Sequence, residues 1–413
     1  VEAKVAEAFR ERYGHEPETV VRAPGRVNLI GEHTDYSLLP VLPIAISEAV
    51  YLAASADDSG RLRGISLSHD GKLDLDRAGA ASAEGWHRYP AGVLSAIGEP
   101  AEGKGAHLVV GSTLPATGGL SSSSALTLAL VEALARVWDL DITVDDEITL
   151  ASRAERAVGI ESGLMDQTVI TFAEPGAALR IDFDPLQWRP VPLPEDVRIV
   201  AAYSGTDAVK TGTVGDAYDA RVVGCRIAAV RLAELLGGEV GHPPALGRVA
   251  DVHEAAEMVA MLPTRDTVTA AADELGLCLD DIGGLAARLF PPDEPVPVHA
   301  CAEHVLGEAK RVDEAEAALQ AGDLEGFGAL LDASHASLTD YGVSTPALDQ
   351  LCVCLREAGA AGARLTGAGF GGFAIAAAPP AALAKVIAAG NEYAGLAFEA
   401  VPSAGMVHGL GSE

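Results

Sequence analysis

No apolar run in the chain approaches the roughly 18 residues that a membrane-spanning helix needs, and no leader pattern is visible at its start. The opening stretch VEAKVAEAFRERYG reads instead as an amphipathic helix with charges throughout, so a cytoplasmic protein is expected. Positive charge is scarce as well: 29 Lys and Arg stand against 59 Asp and Glu, a formal charge of −30. Such a chain repels nucleic acid and anionic membrane alike, which excludes both as partners. An anionic ligand would have to be held locally, by backbone N–H groups at a helix N-terminus or by one well-placed arginine. Cysteine is sparse, with five residues and no CxxC pair. An odd number cannot all pair within one chain, which fits a reducing compartment. Cys352 and Cys354 have no nearby His or second ligand pair, so both are expected to be buried core thiols and not metal ligands. Internal repeats and low-complexity tracts are also missing.

What is present begins with length. At 413 residues the chain is long for a single core and is expected to form two domains, 1–188 and 189–413, with the Pro-rich segment Pro185 to Pro194 as the crossing between them. Strands are expected within 20–54 and 107–114 and in the stretches ALRIDFDP and DVRIVAAYSG, and a helix from about Ser122 to Val137. Strands and helices mix in both halves without a regular βαβ rhythm, which predicts an α+β fold.

Three stretches stand out chemically. APGRVNLIGEHTDYSLLPVLPIAI, Ala23 to Ile46, sets Arg26, Glu32, His33 and Asp35 between apolar, strand-forming runs. Taken alone it could be a charged turn between two strands. In STLPATGGLSSSSALTLALVEAL, Ser112 to Leu134, two glycines and four serines lead into an Ala/Leu helix. Glycines let backbone approach an anion and the helix start supplies free N–H groups, although a serine cap alone would explain part of the pattern. The Gly-Lys-Ser/Thr ending of a Walker A loop is lacking, so phosphates held here would be held by another architecture. GARLTGAGFGGFAIA, Gly362 to Ala376, carries five glycines in its first eleven residues. Its GxGxxG subset precedes a strand and not a helix, which argues against a dinucleotide fingerprint. Between the last two lies AERAVGIESGLMDQTV, where Glu155 and Asp166 are either solvated helix-end carboxylates or groups that serve Mg²⁺ and an attacking hydroxyl.

Together and in this order, the stretches resemble the galactokinases of the GHMP small-molecule kinase superfamily. GRVNLIGEHTDY resembles the galactokinase signature, GGLSSSSAL the superfamily phosphate loop, SGLMDQ the GIMDQ segment and GARLTGAGFGGF the C-terminal motif. The resemblance implies a two-domain fold with mixed sheets, helices in both domains and an active site in the cleft between them. It implies an ATP-dependent sugar 1-kinase, with galactose as substrate, ATP as co-substrate and Mg²⁺. Apart from the resemblance, a monomer or weak oligomer is expected. Within it, Glu32, His33, Asp35, Gly163 and Tyr218 match sugar contacts, and Arg26 and Asp166 match the pair beside the reacting hydroxyl. Gly118, Gly119, Ser121, Ser122 and Ser123 would cradle the phosphates, Ser123 and Glu155 would serve Mg²⁺, and the loop with Gly367 and Gly369 would close over the centre.

Three departures from the family pattern bear on these expectations. Ser37, Leu39 and Pro40 replace an Asn- and Gly-containing turn, which predicts a different path beside the sugar. Thr117 replaces a phosphate-loop glycine, and Thr127 a common Glu. The alternatives are a 1-kinase for another hexose, an amino sugar or a uronic acid, and a non-catalytic sensor that binds sugar and ATP.

Overall fold

A computed structural model describes residues 1–406 except 78, 80–82, 116–118, 160–162, 208–212, 239–240, 243, 250–251, 280–281 and 283–289. Its first sheet contains β1 (Thr19–Asn28), β2 (Pro43–Asp57), β3 (Leu62–Ser66), β4 (Lys72–Leu75) and β5 (Gly105–Ser112) in the order β1-β2-β5-β3-β4. Only the β3/β5 pairing in it is parallel. The Ser122–Val137 helix, at its expected bounds, packs across β1 and β2.

The Pro-rich segment is not an irregular crossing. Leu186–Pro192 is strand β7, paired antiparallel with β6 (Ala177–Phe183). Val191 is buried and Leu186 partly so, while the other residues are exposed, and an exposed strand of this kind tolerates proline because its N–H groups are not all needed for pairing.

A second, wholly antiparallel sheet runs β11-β8-β10-β9, from β8 (Arg198–Tyr203), β9 (Gly362–Thr366), β10 (Phe373–Ala378) and β11 (Ala397–Glu399). Side chains alternate between its faces. Ile199, Ala201, Ile375 and Ala377 enter one core, and Val200, Ala202, Ala374 and Ala376 the other. Burial on both faces explains why RIVAAY and FAIAAA read as continuous apolar runs without alternation.

The glycine stretch therefore splits. GARLT is strand β9, and the remaining glycines turn the chain into β10. Cys352 is buried as expected, whereas Cys354 is half-buried. Two positions along the Pro346–Glu357 helix rotate a side chain by about 200°, away from the core. Among the described residues, no helix is long and apolar enough to cross a membrane.

Candidate active site

The site starts from an irregularity in β1. Its register with β2 slips between Pro24 and Arg26, and a bulge of this type re-aims the following side chain. Gly25, at the slip, has no Cβ because one would lie 2.9 Å from the Leu120 carbonyl oxygen. The close approach lets the Arg26 N–H donate to that carbonyl at 3.2 Å and brings the strand against the serine loop.

Arg26 then points inward, 4 % exposed. Its Nε donates to Asp166 Oδ1 at 2.7 Å, its Nη2 to Asp166 Oδ2 at 3.2 Å and its Nη1 to the Gly119 carbonyl at 2.9 Å. Burial alone would pull the Arg26 guanidinium down, but Asp166, Glu32 and Asp35 outweigh it and hold it above its ordinary value.

Asp166 lies in the first turn of the Met165–Phe172 helix. It also accepts from the Ser121 hydroxyl. Ser121 is the residue before the Ser122–Val137 helix and adopts φ 57°, yet its side chain makes no capping bond. The serine expected to serve as a cap is thus turned to the carboxylate instead, in a backbone conformation uncommon for non-glycine residues.

Two cavities meet at this pair. The smaller, of about 40 Å³, is lined by Arg26, Glu32, His33, Asp35, Asp166 and Tyr218, together with Met165, Gly367 and Ala368. The larger, of about 590 Å³, has a polar end at Gly119 and Ser121 to Ser123 and an apolar end at Trp86, Tyr89, Leu114 and Leu126. Arg26, Gly367 and Ala368 line both, and Gly369 lines the larger. Sequence reasoning missed the apolar end and Ala368. The stretch WHRYP, aromatic and basic with one of only three tryptophans, was the available signal for the apolar end.

The other expected residues, except Gly118, have definite places among the described residues. Asp35 is partly buried, and burial first, then repulsion from Asp166, pushes its carboxyl up to about 6. Gly163 abuts it: a Cβ there would sit 2.0 Å from Asp35 Oδ2. Glu32, also pushed up by burial, accepts from Asn28 Nδ2 and from the Gly367 N–H. The His33 ring bonds to Tyr36 and to the Ala368 carbonyl. Tyr218 reaches the same cavity from the Thr213–Leu236 helix.

Glu155 lies in the last turn of the Val144–Ala157 helix, which starts at a Thr143/Asp146 capping box. It is buried and accepts from Ser124 Oγ at 2.8 Å and Gln167 Nε2 at 2.6 Å. Ser124 Oγ, whose one proton goes to the nearer Glu155, also lies 3.5 Å from Asp166 Oδ2 and so sits between the two carboxylates. Gly118 and Thr117 lie outside the described residues.

The replaced turn closes without a glycine. Leu38 takes the left-handed conformation, φ 59°, and its N–H donates to the Asp35 carbonyl at 3.0 Å. The next residue, Leu39, is buried in the second core. Burial of its side chain offsets the strain at Leu38.

Matches to known proteins follow the same layout. Residues 7–56 match the galactokinase galactose-binding signature, 88–174 the GHMP kinases N-terminal domain and 315–395 the GHMP kinases C-terminal domain. The galactokinase of Streptomyces coelicolor is 36% identical over 98% of this chain and 98% of its own. The chain belongs to the galactokinase family. Another relative, the galactokinase of Chloroflexus aurantiacus, is 36% identical over 88% of this chain and 85% of its own. Among solved structures, Lactococcus lactis galactokinase complexed with galactose superposes with TM-score 0.78 at 27% identity, covering 98% of this chain and 99% of its own. The GHMP fold extends further: Methanococcus jannaschii mevalonate kinase reaches TM-score 0.58 at 17% identity over 92% of this chain and 97% of its own.

Proposed function

We propose that this galactokinase-family chain, an ATP-dependent sugar kinase, transfers the γ-phosphoryl group of ATP to the C1 hydroxyl of galactose. The observation that carries the reading is the buried Arg26/Asp166 pair at the junction of a small polar cavity and a larger cavity with a serine-lined end. The sugar occupies the first, and Glu32, Asp35 and Tyr218 meet its hydroxyls. A misoriented hydroxyl would leave a carboxylate unpaired, which discriminates better than an apolar wall. ATP occupies the second, with its base among Trp86, Tyr89 and Leu114 and its phosphates at Gly119 and Ser121 to Ser123, where the helix start offers unused N–H groups.

The C1 oxygen attacks the γ-phosphorus in line, the bond to the β,γ-bridging oxygen breaks and ADP leaves. Asp166 accepts the hydroxyl proton. Arg26 keeps that carboxylate ionised and stabilises charge on the transferred group. Mg²⁺ takes few protein ligands and relies on phosphate oxygens, and the Ser123 hydroxyl on the cavity wall would be one such ligand; Glu155 does not line that wall but accepts from Ser124 and Gln167 behind it, and would serve the ion by turning from these neutral partners. When bound, the ion would neutralise phosphate charge.

A division at residues 188 and 189 belongs to this proposal: it falls within β7, between the five-stranded sheet before it and the β8 to β11 sheet after it. A reducing cytoplasm is proposed from the five free cysteines, and a monomer or weak oligomer is the proposed state.

Mg²⁺-dependent ATP consumption by the purified protein with galactose, glucose, N-acetylgalactosamine, galacturonic acid or arabinose tests the reading. Turnover confined to galactose supports it. A preference for another sugar would reassign the substrate, and no turnover with any would refute the kinase.

The raised Asp35 pKa makes a further prediction. Asp35 accepts sugar hydroxyls as a carboxylate, so kcat/KM for galactose should fall as pH is lowered through about 6. The stability sign is opposite. A folded pKa above the unfolded one contributes stability that is fully present below the unfolded pKa and is lost as pH rises through about 6. Asp35→Asn should therefore melt a few degrees higher than the wild type at pH 7.5 and lose that advantage near pH 4, while its galactose KM rises. A variant no more stable at pH 7.5 would contradict the burial argument.

A further inference from the structure

His33 occupies a wall of the sugar cavity, but both of its ring nitrogens are engaged by protein. Nε2 lies 3.1 Å from the Ala368 carbonyl oxygen and Nδ1 2.9 Å from the Tyr36 hydroxyl. A carbonyl only accepts, so Nε2 carries the proton. Burial, with repulsion from His304, lowers the ring to about 3 and keeps it neutral, which leaves Nδ1 as an acceptor. Tyr36 must then donate to Nδ1.

Having given its one proton, the Tyr36 oxygen accepts from the Tyr341 hydroxyl at 3.0 Å. Tyr341 is 2 % exposed and stacks on His304 with ring centroids 4.5 Å apart. The hydrogen bonds thus run one way, from Tyr341 through Tyr36 and His33 to Ala368. One residue earlier, the Gly367 N–H is held by Glu32. Two neighbouring side chains grip consecutive backbone groups of the loop that lines both cavities.

We infer that His33 is a positioning residue whose ring is committed to the glycine loop and not to the sugar, with the Ala368 carbonyl setting its tautomer and Tyr36, backed by Tyr341, holding the ring in place. Through Ala368 it fixes the wall common to both cavities, so nucleotide affinity depends on this chain of hydrogen bonds even when no sugar is present. The inference rests on the proposed sugar and ATP sites.

Calorimetric titration of the full chain with a non-hydrolysable ATP analogue and Mg²⁺, without sugar, is the test. Tyr36→Phe removes the donor to Nδ1, leaves that nitrogen a buried acceptor without its partner and releases the ring from its place against Ala368. The analogue should bind on the order of fivefold more weakly, the scale of one lost hydrogen bond. Tyr341→Phe should weaken it less, and carries the measurement if Tyr36→Phe does not fold. The double variant should be no worse than Tyr36→Phe alone, because Tyr341 acts only through Tyr36. Nucleotide affinity within twofold of the wild type, a loss confined to galactose, or effects that multiply in the double variant would each overturn the inference. Galactose turnover by the wild type is measured separately: a protein that binds the analogue but turns over no sugar refutes the kinase reading and leaves the loop clamp standing.

Discussion

Asp166→Asn is expected to lower kcat by about 10³-fold, in the range for loss of a positioned proton acceptor, with galactose KM changed only a few-fold. The amide keeps one oxygen for Arg26 but in either orientation turns a donor toward the guanidinium, which donates to both oxygens, and in one of them toward the Ser121 hydroxyl as well. It also leaves the Arg26 charge buried without its bidentate partner, which costs about 3 kcal/mol of stability on the scale of broken buried pairs. Arg26→Met should destabilise by a similar amount for the mirror reason. The double replacement Arg26→Met with Asp166→Leu should be more stable than either single variant, because neither charge is then left alone, yet remain inactive. Denaturant melts give the cycle and a coupled ADP assay gives kcat. Retention of a tenth of the activity in Asp166→Asn would rule the residue out as proton acceptor, and additive stability losses would show that the pair is not coupled.

The second large effect is expected from Gly163→Ala. A methyl group at 2.0 Å from Asp35 Oδ2 and 2.4 Å from its Cγ cannot coexist with that carboxylate in place, since nonbonded carbon and oxygen atoms settle above about 3 Å. Asp35 must withdraw from the cavity, so galactose affinity should fall on the order of 10²-fold, the scale on which a site discriminates when a buried hydroxyl is deprived of its acceptor. Nucleotide affinity should stay within twofold, because Gly163 and Asp35 do not line the larger cavity. Titration with galactose and with the ATP analogue separates the two. An unchanged galactose affinity would mean that the Gly163 segment yields and Asp35 does not, and would remove Gly163 from the sugar site.

This role of Gly163 shows where reading residues along the chain stops. Its match to the family marked it as a sugar contact, but a glycine has no side chain with which to choose a hydroxyl, and its structural value is the space it leaves for Asp35. Ser121 is similar. Four serines before an Ala/Leu helix pointed to a cap or a phosphate cradle, and local preference could not show that the first of them would turn its hydroxyl to a carboxylate 45 positions on. The bonds to His33 were equally out of reach. Tyr36 is three residues away, but Tyr341 and Ala368 come from the other end of the chain.

Local patterning by itself determined the mixed α+β class, the Ser122–Val137 helix, most strands and the order of the polar motifs, because backbone preference and side-chain periodicity act over a few residues. Charge balance by itself led to the expectation of no nucleic-acid partner and of an anion held locally, by helix N-terminal N–H groups or one arginine, and Arg26 is the buried arginine that lines both cavities. The tertiary structure alone decided which polar groups meet. It placed the second sheet between two cores, closed the Pro-rich segment into a hairpin, and put the backs of Gly31 and Glu32 against Glu308, a buried carboxylate from the Val298–Ala321 helix that accepts the Gly31 N–H at 3.0 Å. Such partners are separated by up to hundreds of residues, and hydrogen bonding and burial at that range depend on the closed fold and not on any local signal.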